Sequence, residues 1–282
     1  MSLLRIALQK KGRLAEESLR LLGEAGIYIP QAGERLRLPA QNYPVEVFLL
    51  RDDDIPAYVA DGVADVGIVG ENVVAEAGLP LEIVRRLGFG RCRLSLAVPK
   101  ESPIQRLEEI AGRRVATGYP ALTRRLLAER GLSATILPLH GSTEIAPSLG
   151  LCDGIVDIVA TGSTLLLHGL REVEALFHSE AVLVRRPQQT TPLLEDFLFR
   201  VEAVLAARQQ KYLLFNLPRE ALPAVAELLP GLKSPTVLPL LEEGWISVHT
   251  VVEEKRFWEV TQRLQALGAQ GILVIDIEKL IR

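Results

Sequence analysis

Two cysteines in 282 residues, Cys92 and Cys152, are too few and too far apart for a disulfide framework. They make no C-x-x-C spacing and have no histidine cluster beside them, so a zinc site is not expected. Buried free thiols are the expectation. No apolar run approaches the roughly 18 residues of a membrane helix. The N-terminal M-S-L-L-R-I-A-L-Q-K-K-G lacks the apolar stretch and cleavage pattern of a secretory signal. A cytoplasmic protein with no membrane partner is expected. A basic surplus is missing too. The 32 Lys and Arg against 35 Asp and Glu leave a net charge of −3. A broad nucleic-acid surface is therefore not expected, and an anionic ligand has to be held by a local basic site. The histidines His140, His168, His178 and His249 are not paired at metal-ligand spacing, and no His/Asp or Cys/His nucleophile constellation stands out. Low-complexity tracts and short repeats are absent.

What remains is a globular composition, 48% hydrophobic and 24% charged, with length for two or three modest domains. Leu3–Leu8 reads as a strand, Lys10 to Arg13 as a basic loop, and Glu16–Ala25 as a helix stopped by Gly26. The unit recurs. Strands are expected at Val45–Leu50, Val66–Val69, Arg93–Val98, Arg114–Thr117 and Thr135–Leu139. Helices are expected after Arg51, over Val73–Ala77, Ile104–Ile110 and Leu122–Arg130. Alternation of this kind implies α/β layers with mainly parallel sheets. After a turn-rich break at Pro187–Pro192, Leu193–Arg208 reads as one long helix. The pattern then changes to β-α-β-β-α-β across residues 212–282, the ferredoxin-like plan. Trp245 and Trp258 are expected in that small core.

Open parallel sheets bind ligands at the carboxyl ends of their strands. The residues that follow the expected strands are Lys10 with Arg13, Arg51 with Asp52, Glu71, Tyr119, Glu144 and the turn Thr161-Gly162-Ser163-Thr164. Cations, acids and a hydroxyl-rich turn suit a phosphorylated ligand. Gly162 permits close backbone approach, and three hydroxyls with successive N–H groups can surround a phosphate. A Ser/Thr helix cap is an equal reading of that turn taken alone. Asp157 stands near the end of the preceding strand, where a carboxylate can accept from a ribose diol. Asp153 fits ligand contact or a turn acid equally well. Arg51 fits phosphate contact or pairing with Asp52–Asp54. Tyr119 can stack on a base or pack a lobe interface, and Glu71 and Glu144 can also act as helix-start acids.

The segment D-G-I-V-D-I-V-A-T-G-S-T resembles the phosphoribosyl-pyrophosphate loop of the common phosphoribosyltransferases, with Ile158 where those carry a second acid. Further stretches are I-A-L-Q-K-K-G-R-L, R-D-D-D-I-P-A-Y-V-A-D-G-V-A-D-V-G-I-V-G-E-N, F-G-R-C-R-L-S-L-A, V-A-T-G-Y-P, H-G-S-T-E-I-A-P, L-L-P-G-L-K-S-P-T-V and L-G-A-Q-G-I-L-V. In order and over essentially the full length, they resemble the long-form ATP phosphoribosyltransferase family, which opens histidine biosynthesis.

The resemblance implies two periplasmic-binding-protein-like lobes and a C-terminal ferredoxin-like (ACT-like) regulatory domain. Lobe I would hold residues 1–91 with 180–211, lobe II residues 92–179, and the regulatory domain residues 212–282. It implies transfer of the 5-phosphoribosyl group from phosphoribosyl pyrophosphate to N1 of ATP, with Mg carried mainly by substrate phosphates and no acid/base residue. Asp153, Asp157, Thr161, Gly162, Ser163 and Thr164 would hold phosphoribosyl pyrophosphate. Lys10, Arg13, Arg51, Glu71, Tyr119 and Glu144 would serve ATP, with Lys10, Arg13 and Asp157 positioning the reactants. Histidine would inhibit by binding at Asn216, Leu232, Ser234, Thr236, Val251 and Gly271; Asn216 replaces an acid found in some relatives. A homo-oligomer, dimer or hexamer, is implied as well.

Overall fold

A computed structural model describes residues 3–31, 33, 35–229 and 234–281. The chain divides into two compact units, Met1–Gly23 with Ile27–Thr191, and Glu24–Gly26 with Pro192–Arg282.

The first unit begins with β1 (Leu4–Gln9), α1 (Arg13–Glu24), β2 (Arg37–Pro39), β3 (Val45–Leu50), α2 (Ile55–Ala60), β4 (Val66–Gly70), α3 (Glu71–Ala77) and β5 (Glu82–Arg86). The chain then enters a second sheet through β6 (Cys92–Pro99), β7 (Arg114–Thr117), α4 (Pro120–Ala128), β8 (Thr135–Pro138), β9 (Gly154–Val159), α5 (Ser163–Leu167) and β10 (Leu170–Ser179). It returns to the first sheet as β11 (Ala181–Arg185). The strand orders are β2-β3-β1-β4-β11-β5 and β10-β6-β9-β7-β8. This is the two-lobed, periplasmic-binding-protein-like plan.

Central strands are apolar along their length because helices cover both faces of the sheet. Ile6, Ala7 and Leu8 of β1 and Val66 and Ile68 of β4 are fully buried. Parallel pairing is confined to β3-β1-β4 and β8-β7-β9. The expectation of mainly parallel sheets is thus corrected to mixed sheets. The antiparallel additions include β5, β6, β10 and β11, the strands that carry the chain between lobes. Ile104–Ile110 is also shorter than expected, a single 3-10 turn at Leu107–Ile110. Pro103 and Gly112 leave little room for more.

The two crossings between lobes run side by side. Leu87 donates its N–H to the Ala181 carbonyl, and the Ala181 N–H returns to Phe89, each at 2.9 Å. The Glu180 carboxylate accepts from the Gly88 N–H at 3.0 Å.

The second unit holds α6 (Pro192–Arg208), β12 (Gln210–Pro218), α7 (Leu222–Leu228), β13 (Thr236–Pro239), β14 (Trp245–Glu253), α8 (Phe257–Ala266) and β15 (Gln270–Asp276). Its strands pair antiparallel in the order β13-β14-β12-β15. Alternation along β12 turns Leu213, Phe215 and Leu217 into a core with Val225, Val260 and Leu264 of the helices. α6 groups with this unit, whereas β11 pairs in the first sheet. Trp258 departs from the expected core placement: it is 75% exposed, and its neighbour Phe257 packs against the core instead. Both cysteines are free, Cys152 buried and Cys92 partly so, and burial pushes both thiols above their ordinary pKa.

Candidate active site

Lys10 directly follows β1, and its N–H binds the Leu50 carbonyl at 2.8 Å, so the carboxyl ends of β1 and β3 lie together. Arg51 follows β3, and Arg13 opens α1 after Gly12, whose φ of +92° suits glycine. Lys10, Arg13 and Arg51 are exposed. Among the described residues none of the three has an ion-pair partner, whereas Arg5, Arg37, Arg86 and Arg93 each hold a carboxylate. Arg51 therefore does not pair with Asp52–Asp54. Arg13 is a cation at the start of a helix, where the dipole favours negative charge. A bound anion would relieve that conflict.

Glu71 opens α3 and is occupied. Its carboxylate is held by both terminal nitrogens of Arg86, and its N–H donates to Glu180 at 3.0 Å. Beside it, the buried Ser179 hydroxyl donates to Asn72 Oδ1 at 2.7 Å and accepts from the Asn72 N–H at 3.0 Å. Asn72 also hydrogen-bonds Tyr119. Tyr119 packs against the cores of both lobes. Its hydroxyl pKa is raised by burial first, then by the nearby charges of Asp52 and Asp157. Those two acids follow β3 in one sheet and lie on β9 in the other. The strand ends of both lobes thus converge on Tyr119.

Asp157 is partly buried on β9. Burial raises its pKa and Glu144 adds to the rise; the Ile158 N–H, at 2.7 Å, and the Thr143 hydroxyl pull it back. Glu144 stands 3.9 Å from His168 Nε2. Thr143 is buried and follows Ser142, whose φ of +51° lies in the left-handed region. A non-glycine residue held there is strain of the kind found at functional loops. Thr143, Asn72 and Ser179 carry no local sequence signal beyond their place in or near family-like motifs.

Thr161, Ser163 and Thr164 are exposed around Gly162, which has φ of +84°. The Thr161 and Ser163 hydroxyls are 3.0 Å apart. α5 begins at Ser163 and has only five residues, so its dipole is small. Asp153 lies before the amino end of β9, away from this turn. Its carboxylate accepts the Arg114 N–H at 2.8 Å while its own N–H donates to the Arg114 carbonyl. Those bonds give it a structural place as the acid that starts the strand.

In the second unit, Asn216, Val251 and Thr236 alternate with core residues and so belong to the sheet face opposite α7 and α8. A Cβ on Gly271 would stand 3.8 Å from Asn216 Nδ2. Ser234 is exposed, and Leu232 lies outside the described residues. His249, paired in register with Thr236, belongs to this face as well. Its ring is held by Tyr212 Oη at 2.8 Å and Ser247 Oγ at 3.2 Å.

Among the described residues no group of three His, Cys, Asp or Glu could hold a metal ion, and no helix is long and apolar enough to cross a membrane. The family model "HisG: ATP phosphoribosyltransferase" matches residues 51–210, and "HisG, C-terminal domain" matches residues 207–279. An ATP phosphoribosyltransferase of Cytophaga hutchinsonii is 49% identical over 100% of this chain and 99% of its own. Another, of Phocaeicola vulgatus, is 50% identical over 99% of this chain and 100% of its own. Among solved structures, the ATP phosphoribosyl transferase (HisG:HisZ) complex from Thermotoga maritima matches with a TM-score of 0.60 and 30% identity. It covers 71% of this chain and 99% of that one. By full-length identity, matched domains and shared fold, the chain belongs to the ATP phosphoribosyltransferase family.

Proposed function

We propose that the chain carries out its family's transfer in the cleft between the two lobes of the first unit. The lone pair of the ATP adenine N1 attacks C1 of phosphoribosyl pyrophosphate. The bond from C1 to the pyrophosphate oxygen breaks, and its electrons leave with pyrophosphate. N1 is already a nucleophile, so positioning and electrostatics carry the rate and no strong base is needed. The observation that most supports a shared cleft is the packing of Tyr119 against the cores of both lobes, near Asp52 of one and Asp157 of the other.

Thr161, Gly162, Ser163 and Thr164 take the 5-phosphate, and Asp157 takes the ribose hydroxyls. Asp157 is already steadied by Thr143 and the Ile158 N–H. Lys10, Arg13 and Arg51, with no carboxylate partner among the described residues, face the pyrophosphate and triphosphate charges. Tyr119 offers its ring to the adenine, while its hydroxyl is anchored at Asn72. Glu144 adjusts Asp157, and Glu71 acts through Arg86 rather than on ATP directly. Asp153 is left out of the substrate site. Magnesium, a hard cation that keeps several waters, would be held mainly by substrate phosphates and water. When bound it screens the leaving group.

Histidine inhibits through the open face of the C-terminal sheet, with Asn216, Thr236, Val251 and Gly271 at the contact. Leu273 and Ile275 on that sheet are 55% and 51% exposed. That exposed apolar surface fits a homo-oligomer, dimer or hexamer. The test is incubation with ATP, phosphoribosyl pyrophosphate and magnesium, with pyrophosphatase to draw the equilibrium. A phosphoribosyl-ATP adduct is expected by mass; its absence refutes the assignment.

A further inference from the structure

Beside the Thr161–Thr164 turn lies a polar row that the substrate contacts leave without a task. The β6/β9 register sets Ser95 opposite Asp157 and Arg93 opposite Val159, so residues 93, 95, 157 and 159 share one face of the sheet. Ser95 is fully buried, and its hydroxyl donates to Glu172 Oε1 at 2.7 Å. Arg93 grips the same carboxylate with Nε at 2.6 Å and Nη2 at 2.5 Å. Its remaining nitrogen, Nη1, donates to the carbonyl of Ala160 at 3.3 Å, directly before the turn. Glu172 sits at a register break in β10, a feature that re-aims side chains. Arg93 and Glu172 cancel in charge, so the pair is ill suited to neutralise a phosphate. A bidentate guanidinium held at a fixed angle is instead a rigid strut.

The turn needs one. Gly162 contributes freedom rather than stiffness, and the hydroxyls of Thr161, Ser163 and Thr164 are exposed. We propose that Arg93, clamped by Glu172 and Ser95, is a positioning residue for phosphoribosyl pyrophosphate. It fixes the Ala160 carbonyl and with it the entry to the phosphate-binding turn. The proposal rests on the reading of that turn as the 5-phosphate site. Lysine at position 93 keeps the charge but cannot grip both carboxylate oxygens and the carbonyl together.

The experiment is steady-state kinetics on the full chain, varying each substrate in turn, for Arg93→Lys and Arg93→Gln. A Thr161→Val, Thr164→Val double variant serves as the control for the turn. Both Arg93 variants are expected to raise KM for phosphoribosyl pyrophosphate about tenfold, with KM for ATP unchanged. For Arg93→Lys, which keeps the charge, the ratio to wild type is expected to hold between about 0.05 and 0.3 M salt, because geometry rather than charge is lost. Wild-type KM in Arg93→Lys, with the double variant impaired, overturns the strut alone. A ratio that shrinks with salt also overturns it, since that marks a phosphate-neutralising charge. A rise in both KM values together overturns it in favour of a general lobe defect. An unimpaired double variant removes the phosphate reading of the turn, and the strut with it.

Discussion

Glu76 of α3, in the first lobe, caps a helix of the second. Its carboxylate accepts the N–H of Ala121 at 2.9 Å and of Leu122 at 2.7 Å, at the start of α4. Tyr119, the residue at the cap position, offers no side-chain cap of its own, and Pro120 has no N–H to satisfy. The Thr123 N–H already bonds the Tyr119 carbonyl at 2.9 Å. Glu76 therefore supplies the acceptors for both otherwise orphaned donors of the first turn. A lost cap costs about 1 kcal/mol, and the carboxylate at the helix start adds roughly 0.3–1 kcal/mol. Ala121 is exposed and can turn to water, whereas Leu122 is buried. Glu76→Ala is thus expected to destabilise by about 2 kcal/mol. Glu76→Gln keeps one acceptor without the charge and should cost about 1 kcal/mol. Equilibrium urea unfolding of the three proteins, followed by circular dichroism, measures this. α4 directly follows Tyr119, whose ring is offered to the adenine, so the KM for ATP should rise in the alanine variant as well. The Arg125 to Ala75 carbonyl bond at 3.2 Å would still tie the lobes, which limits the loss. Stability of Glu76→Ala within about 0.3 kcal/mol of wild type would show that water replaces the carboxylate at no cost, and would refute the reasoning.

Asp157 has a raised pKa, chiefly from burial. Binding that needs its carboxylate should weaken as pH falls through a window above the ordinary aspartate value of about 3.9. Protonation of the same group favours the folded chain at low pH, and that contribution is lost as pH rises through the folded pKa. Asp157→Asn should raise KM for phosphoribosyl pyrophosphate and abolish the acid limb of the pH profile; a surviving limb assigns it to another group. Lys10→Gln with Arg13→Gln should lower kcat/KM by about a hundredfold, with a weaker salt dependence than wild type; an unchanged salt dependence would mark both as plain surface cations. Asn216→Asp should tighten histidine binding about tenfold by supplying a charged acceptor for the ammonium group, measured by titration calorimetry. Equal affinity would move the amino-group contact elsewhere.

Much of this architecture was legible because burial leaves a periodic trace. Val45–Leu50 and Arg114–Thr117 begin and end where apolar patterning places them. The strands of the C-terminal sheet agree to within about two residues, the ordinary uncertainty of a boundary. β5, β10 and β11 were not legible. β5 carries Glu82, Arg85 and Arg86; Glu82 pairs with Arg185 and Arg86 with Glu71, and the charges hide the pattern. β10 is interrupted by two register shifts, which break the alternation of period two. The site divides the same way. Carboxyl-end residues such as Lys10, Arg51 and Tyr119 follow from strand order, because an open sheet places them. Thr143, Asn72, Ser179 and Glu76 act across distant segments, and a contact between residues 72 and 179 leaves no mark on either local sequence. Asp153 was ambiguous for the opposite reason: an acid before a strand looks the same whether it meets a ligand or a neighbouring N–H.

The return of the chain through β11 also orders the birth of the protein. β11 lies between β4 and β5, with Val182, Leu183 and Val184 fully buried. β5 has no place in the first sheet until residues 181–185 leave the ribosome, after the whole second lobe has been made. Until then β4 presents an unpaired apolar edge, the kind of surface that recruits other strands. The second lobe is contiguous in sequence and can close first. A nascent chain stalled before residue 181 should therefore be the aggregation-prone species, and one stalled well beyond residue 185 should not.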